Sequence, residues 1–204
     1  MYCASWQGPF YSLNTKDLTI MGSRWGIHVH WFLGHKLLNI GTLEAEKHGD
    51  YHCFVYHDLD MIPEKGNTPY KCFPWPLHLA IGVEKLQYKP YYGGMSGVAV
   101  VPKQLIHQVN GHSNNFWGWG GEDDDFLLRF NKQGFNVMHY PAEIGRYRSL
   151  PHVPASPSPN RYKILEKEGG KRDSGLSNVN YVLVQTSLHP LYTIFDVNLT
   201  LSVK

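Results

Sequence analysis

The chain has 204 residues, 42% of them hydrophobic, with 13 Tyr, 9 Phe and 6 Trp, enough apolar surface for one globular domain with a sizeable core. Its formal charge of +2 is spread without a basic stripe, so nucleic acid is not an implied partner. No apolar run approaches the roughly 20 residues of a membrane-spanning helix, and no secretory signal is readable at the start.

Residues 1–34 mix Trp, Gly, His and Ser without a period and yield no element. From Lys36 to Lys47 apolar residues recur at helical spacing, and His-Gly-Asp then stops the helix. Tyr51 to Tyr56 is a short apolar and aromatic run that suits a buried strand, ending in His57-Asp58-Leu59-Asp60. Pro63 to Pro76 is loop-like, His78 to Val83 is a second strand, and Met95 to Val101, after Tyr91-Tyr92-Gly93-Gly94, is a third. A short helix over Gln104–Asn110 precedes a Gly/Trp/Asn loop over 111–121, and Glu122–Lys132 is a helix with an acidic start. Asn136–His139 is a further strand, 151–159 is proline-rich, and Tyr181–Val197 is hairpin material.

Two constellations bear chemistry. Asp58-Leu59-Asp60 is an Asp-x-Asp triplet whose alternate side chains share one side when extended, an arrangement for a divalent cation and a nucleotide diphosphate. A solvated turn is the bland reading of such a triplet. Its place at the C-terminal end of a strand, where open α/β sheets bind ligands, favours the functional one. The second, Gly118-Trp119-Gly120-Gly121-Glu122-Asp123-Asp124-Asp125, sets a Trp between glycines before four consecutive acids. The helix dipole explains one or two acids at a helix start, whereas four repel one another and call for a cation, sugar hydroxyls or proton transfer. Cys3, Cys53 and Cys72 are too few for a disulfide scaffold, and Cys53 and Cys72 either close the loop between them or stay as buried thiols. Asn198-Leu199-Thr200 is a glycosylation sequon that matters only in a secretory lumen.

With these residues in view, the chain resembles the β-1,4-galactosyltransferases, glycosyltransferases of GT-A-like α/β fold with a mixed central sheet flanked by helices. The resemblance runs from about Lys36 to Asp196 through KLLNIG, CFVYHDLDMIP, YKCF, YYGGMSGVAVV, NNFWGWGGEDDDF, GRYRSLPH, PNRY and HPLYT, in the family's order. It divides the chain into an N-terminal region, 1–34, and a partial catalytic domain, 35–204. It implies an inverting transfer of galactose from UDP-galactose to the 4-hydroxyl of a terminal N-acetylglucosamine, dependent on Mn²⁺.

The resemblance also implies roles. Asp60 and His152 would bind the metal, and Asp123 would be the catalytic base that takes the acceptor's hydroxyl proton. Asp58, Lys85, Gly94, Trp119 and Glu122 would contact the donor, with Trp119 as a lid hinged on its glycines. Tyr91, Asp124, Arg161 and Tyr162 would contact the acceptor, and the bulk of Tyr91 favours galactose over N-acetylgalactosamine. Cys53 and Cys72 would form the family's disulfide, and the full-length form would be a Golgi type II membrane protein whose anchor is not in this sequence.

Three departures stand out. Ser149 occupies the place of a metal-ligating Met, Phe32-Leu33-Gly34 stands where Phe-Asn-Arg is usual, and no Pro-Phe-Arg-x-Arg motif precedes Lys36. Loss of that first strand would leave the sheet with an exposed edge. The alternatives are a transferase of the same fold that uses UDP-N-acetylgalactosamine, a non-catalytic binder of N-acetylglucosamine glycans, and a two-metal phosphoesterase.

Overall fold

The computed structural model describes residues 17–23, 26–30, 35–66, 68–153 and 155–199, the first two segments as backbone only. Cys3, Phe32-Leu33-Gly34 and Thr200 of the sequon lie outside the described residues. In chain order the elements are β1 (Asp17–Ser23), β2 (Gly26–His30), α1 (His35–Glu46), β3 (Cys53–His57), β4 (Met61–Pro63), β5 (Leu77–His78) and β6 (Gly82–Val83). There follow β7 (Val98–Pro102), α2 (Lys103–Gln108), α3 (Glu122–Lys132), β8 (Met138–His139), β9 (Arg146–Ser149), α4 (Arg161–Glu168), β10 (Val182–Leu188) and β11 (Thr193–Asn198).

Eight strands form one mixed sheet in the order β10-β11-β1-β2-β3-β7-β5-β8, and β4-β9-β6 form a small second sheet. At the centre β3 runs parallel to β2 and antiparallel to β7. The period of two along these strands explains why Tyr51–Tyr56 is apolar without alternation. Phe54 and Tyr56, with Ala99 and Val101 of β7, point into one core together with Leu38, Ile40, Phe126 and Phe130. Cys53 and Val55, with Val98 and Val100, point into a second core with Leu77, Leu79 and Tyr147. A strand covered on both faces has no polar side to show.

The structure corrects several sequence expectations. β3 is not an edge, because β2 pairs with it and β1 extends the sheet to the terminal hairpin. Residues 17–30 carried no period legible enough to place those strands. The strand expected over His78–Val83 is two: Leu77–His78 pairs with β7 and β8, whereas Gly82–Val83 pairs with β9 in the other sheet. The segment stays buried throughout, so hydropathy gave no sign of the break. β4, β9 and α4 were not expected at all, being short, with three, four and eight residues. Cys53 and Cys72 are joined in a disulfide with Cα atoms 5.7 Å apart, which ties the start of β3 to the loop before β5. Among the described residues no helix is long and apolar enough to cross a membrane.

Candidate functional site

The Asp-x-Asp triplet leaves the C-terminal end of β3. The Asp58 amide donates to the Gly97 carbonyl at 2.7 Å, which fixes the turn against the strand entering β7. Burial, then the Asp123 and Asp60 charges, push the Asp58 carboxyl up to about 8, against the opposing pull of His35 and Lys85. Lys85 sits exposed in a single 3-10 turn, Glu84–Leu86.

Asp60 meets the GRYRSLPH segment because β4 and β9 pair with Met61 opposite Ser149. The Leu150 amide donates to the Asp60 carbonyl at 2.7 Å, and the Ser149 hydroxyl donates to Asp60 Oδ2 at 2.5 Å. His152 Nδ1 lies 3.4 Å from the same Oδ2, a separation that two ligands of one divalent ion adopt when each is about 2.1 Å from it. Nδ1 also lies 3.0 Å from the Leu150 carbonyl, a contact that ligation through that nitrogen would cost. Among the described residues no three His, Cys, Asp or Glu converge on one point. The donor set of carboxylate, imidazole and hydroxyl fits a divalent cation only as part of its coordination. Ser149, left out of the expected ligand set, touches it directly.

The acidic run opens α3, with Gly121 before it in the left-handed region. The four acids divide by environment. Asp125 is 1% exposed and fully engaged: Arg129 Nε donates to its Oδ2 at 2.8 Å, and the Gly170 amide donates to its Oδ1 at 2.8 Å. Arg129 spends its other nitrogens on the carbonyls of Gly111 and Ser174. One of the four acids is thus the anchor of the helix and needs no ligand. Glu122 is 6% exposed with Oε2 lacking a hydrogen-bond partner, and burial raises its pKa. A buried acceptor left open in this way is a place for a donor hydroxyl. Asp124 receives the Tyr91 hydroxyl at 3.4 Å, and burial followed by the Asp123 charge raises its pKa.

Asp123 faces the cleft with a third of its side chain exposed, and its carbonyl accepts the Met95 amide at 3.3 Å. Gly94 makes that approach possible, because a Cβ there would come within 3.2 Å of Asp123 Cβ and 3.3 Å of its carbonyl carbon. The cleft is lined by Tyr56, His57, Asp58, Met95, His112 and Asp123, among others, so both acidic motifs open onto one space. His35, at the start of α1, reaches Asp123 Oδ1 at 3.5 Å and also lines the cleft. Neither His35 nor His112 was expected from sequence, since each is an isolated histidine with no motif around it.

Trp119 is 53% exposed, yet its backbone is held: its carbonyl accepts the Ser158 amide at 2.9 Å and it forms a parallel bridge with Pro157. Gly118 and Gly120 on either side have φ of +79° and +111°. A Cβ at Gly120 would strike the Arg161 side chain at 2.5 Å, so α4 packs directly under the tryptophan loop. Arg161 stacks over the Tyr162 ring with its guanidinium carbon 4.3 Å from the centroid. Of the expected donor and acceptor contacts, Trp119 and Tyr162 are exposed and Arg161 is half-buried between Gly120 and the Tyr162 ring.

Residues 28–73 match the family described as the N-terminal region of glycosyl transferase group 7, and residues 77–153 match the N-terminal domain of galactosyltransferase. Among curated proteins, β-1,4-galactosyltransferase 1 of Mus musculus is 37% identical over 169 residues, 80% of this chain and 42% of that protein. The human β-1,4-galactosyltransferase 4 is 39% identical over 162 residues, 77% of this chain and 47% of that protein. The chain spans about half the length of these relatives or less. Among solved structures, a mutant of Drosophila β-1,4-galactosyltransferase 7 in complex with manganese, UDP-Gal and xylobiose superposes with a TM-score of 0.65. It is 26% identical, and the match covers 83% of this chain and 75% of that one.

Proposed function

Because the chain belongs to the β-1,4-galactosyltransferase family, we propose that it transfers galactose from UDP-galactose to the 4-hydroxyl of a terminal N-acetylglucosamine, with inversion. The observation that supports this most is the pairing of two acidic motifs across one cleft. Asp58 stands at the end of β3, and Asp123, partly exposed and braced on Gly94, stands opposite it.

In this reading Asp123 takes the acceptor's hydroxyl proton as that oxygen attacks the anomeric carbon, and UDP leaves from the opposite face. Asp60 and His152, beside Ser149, would hold the cation, Mn²⁺. When bound, the ion neutralises charge on the departing diphosphate. A hydroxyl in place of a thioether makes the donor set harder, which favours Mn²⁺ or Mg²⁺ over softer ions. Asp58, Lys85 and Gly94 face the donor, and Glu122 offers its open oxygen to a donor-sugar hydroxyl. Tyr91 and Asp124, hydrogen-bonded to each other, join Arg161 and Tyr162 on the acceptor side. Trp119 closes over both sugars and excludes water. The Cys53–Cys72 bridge suits an oxidising compartment, and we place the protein in the Golgi lumen.

The test is UDP release from UDP-galactose with Mn²⁺, with and without an N-acetylglucosamine acceptor, beside an Asp123→Asn control. Acceptor-dependent release that the substitution abolishes supports the reading. Release stimulated by a xyloside instead would reassign the acceptor, and UDP-N-acetylgalactosamine as the better donor would reassign the sugar. Retained glycan binding with no turnover would leave a binding protein, and hydrolysis without acceptor would favour a phosphoesterase.

A further inference from the structure

His35 has no part in the reaction as assigned above, yet it is buried beside the residue that does the proton chemistry. Its Nε2 lies 3.5 Å from Asp123 Oδ1. Its ring lies flat on His112, with centroids 4.5 Å apart and planes within 7°, and His112 in turn stacks on Phe126 at 3.7 Å. Phe126 is three residues after Asp123 on α3, so the helix that supplies the carboxylate also supports the stack that aims the imidazole at it. Asn39, one turn after His35 on α1, fixes His112 from both sides of its backbone, accepting from the amide at 2.8 Å and donating to the carbonyl at 2.7 Å. Both rings are held, and neither can swing away without opening the core.

We propose that His35 is a positioning residue for Asp123, orienting its carboxylate and receiving the proton that Asp123 takes from the acceptor hydroxyl. The inference rests on the transferase reading above. In the chemical step the acceptor O–H bond breaks and its hydrogen goes to Asp123. The acceptor oxygen bonds to the anomeric carbon, and the bond from that carbon to the diphosphate breaks with its electron pair leaving on UDP. The proton then passes from Asp123 to Nε2 of neutral His35, which restores the carboxylate, and His35 gives it up to water in the cleft once the products have left, ready for the next turnover.

The charges around the ring suit this. Asp123 and Glu122 of α3 and Asp58 at the end of β3 all favour a proton on His35, and together they outweigh the effect of its burial. His112 does not compete, because burial, then His35 and Arg129, hold its pKa well below the usual value. With His35 already protonated the ring has no place for the proton from Asp123, so transfer rises as pH rises through the His35 ionisation.

Two measurements test the pair. The first is an NMR titration of the ring-labelled histidines, with His35→Gln identifying the signal. The His35 midpoint is expected to fall by about one pH unit or more in Asp123→Asn. An unchanged midpoint overturns the proposal. The second is the pH profile of galactose transfer in His35→Gln, where the acid limb is expected to move about one unit lower. A profile that keeps its shape and merely scales would show a packing role only. A coupled titration with no transfer by the wild type would fault the functional reading and leave the shared proton standing. Uncoupled rings with transfer intact would do the reverse.

Discussion

Asp123 and Asp125 lie two residues apart in the first turn of α3, and their surroundings are opposite. Asp125 is closed off from water, with both oxygens taken by Arg129 and the Gly170 amide, and Arg129 itself caps loop carbonyls from two segments. Asp123 is partly exposed, rests on Gly94, and turns an oxygen toward His35 and the cleft. Helical periodicity produces the contrast, because residues two apart point to nearly opposite sides. The difference teaches that a carboxylate's role follows from which of its oxygens are already spoken for. The pair also explains how the helix can present an acidic mouth, since the buried ion pair fixes the turn from which the other acids project.

The sharpest way to break this contrast is to separate rate from stability. Asp123→Asn is expected to lower galactose transfer by about 10²- to 10⁴-fold. Its urea unfolding curve should stay within roughly 0.5 kcal/mol of the wild type. A large stability loss there would erase the distinction. Asp125→Ala should do the converse, costing about 3–5 kcal/mol in urea unfolding because Arg129 is left buried without its partner.

Gly94→Ala moves the base without changing it. Its Cβ would meet Asp123 at 3.2 Å, and a displacement of a few tenths of an ångström should lower the transfer rate about tenfold with the fold intact. An unaltered rate would show that Asp123 tolerates displacement. The last effect is read from pH dependence and concerns Asp58, whose carboxyl burial and the Asp123 and Asp60 charges push up to about 8 when folded, against about 3.9 when unfolded. The folded state binds more protons between those values, so this carboxyl makes stability fall as pH rises through them. Asp58→Asn should therefore raise the melting temperature more at pH 8 than at pH 5. An equal gain at both would show that Asp58 ionises normally.

What the sequence made legible follows the same physics. α1, β3, β7 and α3 were foreseeable because each has a period or an apolar run that matches its burial, and the acidic motifs announced themselves by charge density. The division of labour between Asp123 and Asp125 was not, because it depends on Arg129 and Gly170, which reach the helix start from elsewhere. The family resemblance implied that Asp60 and His152 lie together, but the β4–β9 pairing that brings Ser149 to them joins strands too short to leave a pattern. His35 and His112 were invisible for a different reason: a lone histidine has no periodic or motif context, and only the stack gives it meaning.

One stretch constrains how such a chain can change. Leu77–His78 pairs in the large sheet and Gly82–Val83 in the small one, with only three buried residues between them. Adding or deleting a residue there would turn every following side chain to the wrong face in one sheet or slip the register of the other. Natural variants should thus keep both the length and the apolar character of this bridge, since Leu79, Ala80 and Ile81 are all buried.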